Sequence, residues 1–296
     1  MKIDPKEAKT SLFHSYMVAA IAPRPIAFAS TMDKNGNPNL APFSFFNAFG
    51  SKPPLVVFSP TRSVRNNTNK HTLENIYETK EVVINMVNYA MVQQTSLASS
   101  EYPKEVNEFV KAGFTPIASE LIKPFRVKES PVQMECKVVQ VIETGAEGGS
   151  ANLVLCEIVL MHIHDDVLTE DNKIDPQKID LVARMGGDLY CRASGDAIFK
   201  VPKPNKKLGI GFDQLPQRIK NSRILSGNDL GMLANVEVLP SIEEIQLSDQ
   251  LSVLNELKKR FVNDSGKLEE SVHLLAKSLL EKGDVMEAWK VLRLSE

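Results

Sequence analysis

The sequence predicts a mainly β domain with peripheral helices, followed by a helical C-terminal extension. Three observations carry this. Residues 24–60, RPIAFASTMDKNGNPNLAPFSFFNAFGSKPPLVVFSP, read as strand, tight turn, broken strand, Pro-rich bend and strand. Two apolar strand patterns, residues 132–142 and 152–164, flank the Gly-rich connection Gly145-Ala146-Glu147-Gly148-Gly149-Ser150. From residue 248 onward the apolar residues recur at helical spacing instead. The linker-like stretch 201–207, VPKPNKK, separates these regimes, so the domains are expected at 1–204 and 205–296.

Composition narrows the class. The chain has 296 residues, 43% hydrophobic and 24% charged, which suits a globular protein and opposes disorder. A net charge of −2 gives no surplus for a polyanion, so no nucleic-acid partner is expected. No apolar run reaches the roughly 18 residues of a membrane span, and the charged start MKIDPKEAKT shows no secretory h-region. Cys136, Cys156 and Cys191 are scattered, without CxxC spacing, and read as reduced thiols of a cytoplasmic protein.

Helical pieces are expected over residues 5–11 and 15–20, ahead of Pro23. Residues 25–32 form a strand with Ser30 and Thr31 near its end, and Asn35-Gly36 marks the hairpin turn. The returning strand, 40–46, carries Pro42, which has no N–H to give a ladder, so pairing is expected to open there. Free backbone donors beside Phe43, Ser44, Phe45 and Phe46 suit a flat heteroaromatic ligand with polar edges. A bulged edge strand over the core explains the same pattern. A strand over 55–59 follows.

Residues 60–80 turn polar and basic, with Arg62, Arg65 and Lys70. Thr72 is the expected N-cap of a helix over 73–78, whose unpaired N–H groups beside Lys70 would seat a phosphate, or simply form an ordinary capped helix. A strand over 81–87 and helices over 89–99 and 104–112 come next, with Val106, Phe109 and Val110 as one apolar face. His162 and His164 share a strand face, but no further ligand completes a metal site and none is expected. Arg184 beside Gly186-Gly187 and Tyr190 could reach a phosphate or carboxylate, or be a surface residue in a turn.

Residues 208–240 read as loop, with a turn at Ser226-Gly227-Asn228-Asp229. Leu247, Leu251, Leu254 and Phe261, then Leu268, Val272, Leu275 and Leu279, form helical stripes. Gly283 stops the second, and Asp284-x-x-Glu287 resembles a capping box. These stripes are expected to pack against each other and the β domain.

The blocks PRPIAFAST (23–31), Asn35-Gly36, NLAPFSFFNAF (39–49), KPPLVVFSP (52–60), NKHTLENI (69–76), VVIN (82–85) and RMGGDLY (184–190) resemble the flavin reductase-like family in order and spacing. The resemblance covers residues 1–204 and is specific for the family but poorly so for substrate. It implies an antiparallel, Greek-key-like FMN-binding split β-barrel, with FMN in a groove near the interface of a homodimer. It implies that Ser30 and Thr31 and the loop Ala41, Pro42, Phe43, Ser44 and Phe45 face the isoalloxazine, and that Asn47 contacts the ribityl chain or fixes the loop. The phosphate would lie near Ser59, Pro60, Thr61 and Arg62 and the helix start at Lys70 and Thr72. Arg184 would approach the flavin or the nicotinamide. Where family members often carry Lys-Asp-Thr, this chain has Lys70-His71-Thr72, and Cys191 stands where some carry a nicotinamide-positioning histidine.

The activity so implied is an NAD(P)H:flavin oxidoreductase using NADH or NADPH, with a monooxygenase or free flavin as acceptor. Reduction or oxygenation of an organic substrate, or electron carriage without catalysis, are the alternatives. No catalytic side chain is required, because the flavin carries the chemistry. The absence of Ser-His-Asp or paired-carboxylate patterns fits this. The resemblance assigns no role to the C-terminal extension.

Overall fold

The computed structural model describes residues 1–204 and 208–294. The chain forms two compact units, Met1–Phe199 and Lys200–Glu296.

In the first unit, α1 (Thr10–Ala20) precedes two hairpins: β1 (Ala27–Met32) with β2 (Pro38–Phe43), and β3 (Phe46–Ser51) with β4 (Pro54–Phe58). Then come α2 (His71–Thr79), β5 (Glu81–Met86), α3 (Val92–Leu97), α4 (Glu108–Ala112), and the short pair β6 (Pro116–Ile117) and β7 (Arg126–Val127). The long hairpin β8 (Val132–Glu143) and β9 (Asn152–Ile163) follows, then α5 (Pro176–Ile179), β10 (Val182–Gly186) and β11 (Leu189–Arg192). Seven strands make one antiparallel sheet in the order β2-β1-β5-β8-β9-β4-β3, the arrangement of the split barrel.

The core follows from strand periodicity. Every residue of β1 is buried, and successive side chains enter opposite layers. Ala27 and Ala29 join Phe58, Ile76 and Cys136, whereas Phe28 joins Leu40, Phe109 and Phe114. Phe28 is fully buried and stacks edge-on with Phe114 at 5.1 Å. Burying such a ring contributes about 1.5–3 kcal/mol.

Several expectations change. Of the two N-terminal helical pieces, the first is a turn over residues 5–8, and one helix, α1, begins at Thr10 and takes in the second. The ladder does not open at Pro42, which pairs with Phe28 within an unbroken β1–β2 register. Proline is tolerated because β2 is a sheet edge. Leu40, two residues before it and so of the same parity, sends its N–H away from β1 to Glu108. Residues 40–46 are not one strand: the chain bends at Ser44 and Phe45 and starts β3. In the first turn, the positive φ falls on Gly36, at 90°, while Asp33 Oδ1 accepts the N–H groups of Asn35 and Asn37. Of the expected face Val106, Phe109 and Val110, only Phe109 is buried in α4: Val110 is 76% exposed and Val106 precedes the helix.

The second unit contains α6 (Gln217–Lys220), α7 (Gly227–Ala234), α8 (Ile242–Gln246), α9 (Leu251–Arg260), α10 (Ser265–Glu281) and α11 (Val285–Leu294). Ser226-Gly227-Asn228-Asp229 is a capping box that starts α7, not a turn between loops. Leu254, Val272 and Leu279 enter the core of this unit around Trp289, whose Nε1 donates to Leu233 O at 2.9 Å. Leu247 lies outside the stripe at 77% exposure. Glu287 gives its carboxylate to Ser248 Oγ and Lys290 Nζ, rather than to a capping box.

Candidate functional site

Two grooves in the first unit share Pro42 and Phe43 as a common wall. The first runs along the end of β2, the start of α2 and the segment 98–102. The second lies between α1, the bend after β2, Ser59–Thr61 and β10, and has a volume of about 430 Å³. That is within the roughly 300–1,000 Å³ of cofactor-sized sites.

Ala41, Pro42, Phe43, Lys70 and Thr72 line the first groove. The helix α2 starts at His71 with Lys70 as N-cap and no side-chain cap; Leu73 N–H donates to Lys70 O, and the His71 and Thr72 N–H groups, without a described partner, form the positive end of the helix dipole. Thr72 is therefore not the N-cap. It sits one turn position inside, buried, with Oγ1 accepting Asn39 Nδ2 at 2.9 Å. Lys70 Nζ holds Glu101 Oε1 at 3.0 Å, and Arg65 lies 3.7 Å from the other oxygen. The Lys70 hydrogen bond is the main cause that holds the Glu101 carboxyl below its ordinary range.

Pro42, Phe43, Ser44, Phe45, Ser59 and Thr61 line the second groove, together with Arg184. Ser59 is 6% exposed and its buried Oγ has no hydrogen-bond partner. An orphaned buried hydroxyl costs free energy unless something satisfies it, so the groove fits a ligand with a polar edge. Phe43 and Phe45 supply flat apolar wall.

Other expected residues lie elsewhere. Ser30 and Thr31 are fully buried within β1 and line neither groove; Thr31 Oγ1 accepts Asn39 Nδ2 and Asn75 Nδ2. Asn47 lies on the exposed strand β3 and its Oδ1 accepts the Ala48 N–H. The Pro60 carbonyl accepts Asn152 Nδ2 at 2.9 Å. Arg62 spends its guanidinium on Asn67 Oδ1, Asn67 O and Asn69 Oδ1 at 2.6–2.8 Å. It shapes the loop whose Asn66, Thr68 and Asn69 line the first groove, without itself lining it.

Four residues were not singled out in the sequence reading. Arg24 is 6% exposed and binds the Ile21 and Val18 carbonyls at the end of α1; its place in PRPIAFAST was the available signal. Glu101 and Glu108 enter the first groove from distant segments, and His14 enters the second from α1. Burial pushes the Glu108 carboxyl up. His162 Nε2 lies 2.7 Å from the buried Glu135 carboxylate and His164 Nε2 lies 3.2 Å from Gln133 Nε2. Among the described residues no cluster could hold a metal ion, and no helix is long and apolar enough to cross a membrane.

A split barrel with a helix-start groove joined to an aromatic groove defines the class: a flavin-type oxidoreductase fold. The model of the flavin reductase like domain matches residues 19–179, more than half of the chain, and the chain belongs to this family. Membership makes a flavin the cofactor class and oxidoreduction the reaction class.

An uncharacterized protein of Aquifex aeolicus is 35% identical over 196 residues, 66% of this chain and 97% of that one. Nitrilotriacetate monooxygenase component B of Bacillus cereus is similar in structure, with a TM-score of 0.63 and 27% identity over 68% of this chain and 98% of its own. The 2-nitrobenzoate 2-nitroreductase NbaA of Pseudomonas fluorescens gives a TM-score of 0.60 and 27% identity, covering 68% and 96%.

Proposed function

We propose that the chain is an FMN-binding NAD(P)H:flavin oxidoreductase that works as a homodimer. The observation that carries this reading is the junction of the two grooves at Pro42 and Phe43. A single elongated ligand with an anionic end and a flat polar-edged ring matches both.

Lys70 and the first N–H groups of α2 would hold the phosphate. The hydroxyls of Ser44 and Ser59 would meet the polar ring edge, and Phe43 and Phe45 its faces. When bound, a flavin supplies the redox chemistry by taking up hydride and passing on electrons. The chain's task is to align a nicotinamide ring with that cofactor and to direct hydrogen-bond donors at the edge where charge gathers. Arg184, which lines the second groove, would serve this role. A second copy of the chain would close the groove from outside and exclude water.

The test is oxidation of NADH and NADPH by the purified chain, with and without added free flavin. Turnover stimulated by free flavin, or by a partner monooxygenase, supports the reading. No oxidation of either nucleotide removes it. A second reading, reduction of an organic substrate, is favoured by the likeness to the 2-nitrobenzoate reductase. Nucleotide oxidation that requires a nitroaromatic acceptor would select it.

A further inference from the structure

A groove of about 510 Å³ lies within the second unit, between α6 with its following loop and the first turns of α10. His273, only 3% exposed, lines it. Ser222 holds the ring, with Oγ 2.8 Å from Nδ1. That same Oγ accepts the Ile224 and Leu225 N–H groups, both at 3.1 Å. With its lone pairs so engaged, the hydroxyl gives its own hydrogen to Nδ1. Burial lowers the pKa of His273, against the opposing charge of Glu269 and with a smaller push from Arg218, which keeps the ring neutral. A neutral ring that accepts at Nδ1 carries its proton on Nε2. This Nε2 is buried and has no hydrogen-bond partner. An unmet buried donor costs free energy until something accepts from it.

The two walls carry opposite charges. Arg218 and Arg223 come from α6 and its loop, and Glu269 and Glu270 come from α10. Arg218 donates to Leu292 O. Arg223, Glu269 and Glu270 are exposed, and among the described residues no ion pair joins that arginine to either glutamate. A ligand of one sign would be repelled by one wall. A small ligand that carries both signs would be met by each.

We propose that this groove binds a free α-amino acid. The carboxylate accepts from His273 Nε2–H and from Arg223, and the ammonium group meets Glu269 and Glu270. A simple carboxylate or a simple amine satisfies one wall only. The site does not rest on the flavin reading, and it gives the C-terminal unit a ligand of its own.

The experiment is calorimetric titration of the full-length chain with each standard α-amino acid in turn. At least one is expected to bind with a Kd of about 1 mM or tighter. Its analogue without the amino group, and its analogue without the carboxylate, should each bind at least about tenfold more weakly. Arg223→Gln, a change at an exposed position, should weaken binding about threefold or more, and Arg223→Lys should recover part of it. Changing Glu269→Gln and Glu270→Gln together should have a similar effect. His273→Asn keeps an acceptor for Ser222 and removes Nε2, and should cost about tenfold or more. Emission from Trp289, in the core of the same unit, shows whether that variant is folded. If it is not, the analogues and Arg223→Gln decide. Binding by no amino acid overturns the proposal. So does equal binding of the deaminated acid, or binding unchanged in Arg223→Gln.

Discussion

The Glu108 carboxylate accepts the Leu40 N–H at 3.1 Å, so a residue 68 positions away finishes the open edge of β2. The strand that walls both grooves is thereby held by a side chain of α4. Glu108→Ala leaves a buried N–H unpaired and should cost about 1–3 kcal/mol in chemical denaturation. The pH dependence has a definite sign. Burial raises the Glu108 carboxyl above its ordinary 4.5, so the folded chain holds that proton more tightly. Its contribution is complete below 4.5 and fades as pH climbs through the folded value. Relative to Glu108→Gln, the unaltered chain should lose stability over that rise; parallel curves would contradict this.

Glu101 occupies the cation that the proposed phosphate needs. Glu101→Gln should tighten FMN by about threefold to tenfold and leave riboflavin unchanged, since a solvent-exposed pair is a modest competitor. Lys70→Ala should weaken FMN and again spare riboflavin. Both effects should shrink with added salt. Fluorescence titration with the two flavins reads all of this, and equal shifts for FMN and riboflavin would place the phosphate elsewhere.

Much of the fold was legible because strand periodicity is local. The β8–β9 hairpin follows from the alternation of Val132, Met134 and Cys136 and from the Gly-rich link to Asn152. What failed was set by neighbours distant in sequence. Pro42 reads as a break until β2 is seen to be an edge. Strand β3 has no apolar alternation to detect, because its residues from Asn47 to Ser51 are exposed and the ladder shifts between Ala48 and Gly50. Ser226-Gly227-Asn228-Asp229 reads as a turn, and only the reciprocal bonds of α7 reveal a capping box. In the site, Ser44, Ser59 and Lys70 were visible through the family blocks. Glu101, Glu108 and His14 come from segments those blocks omit, and Arg62 points into its own loop for a reason no spacing reveals.

Glu135 is fully buried and accepts the Glu120 and Leu121 N–H groups at 2.8 and 2.7 Å, with His162 Nε2 also at 2.7 Å. Burial alone would raise its carboxyl, but these bonds outweigh it and hold it below 4.5. A depressed carboxyl stabilises above its unfolded value and loses that contribution as pH falls. Glu135→Gln should cost about 1–3 kcal/mol at neutral pH, with the gap closing below 4.5. Denaturation midpoints across pH check it.

The chain has one tryptophan, and Trp289 is buried in the core of the second unit. Its emission therefore reports that unit. Leu254→Ala removes a side chain that is 1% exposed in the same core. It should lower stability by about 2–5 kcal/mol, seen as an earlier red shift of Trp289 emission in denaturant. An unshifted midpoint would contradict the packing described.

The most direct test is the visible absorption of the purified chain under anaerobic conditions, before and after adding NADH or NADPH. The account predicts a flavin band that is released as FMN on denaturation and bleaches with at least one nucleotide. A colourless chain that takes up no FMN would contradict it.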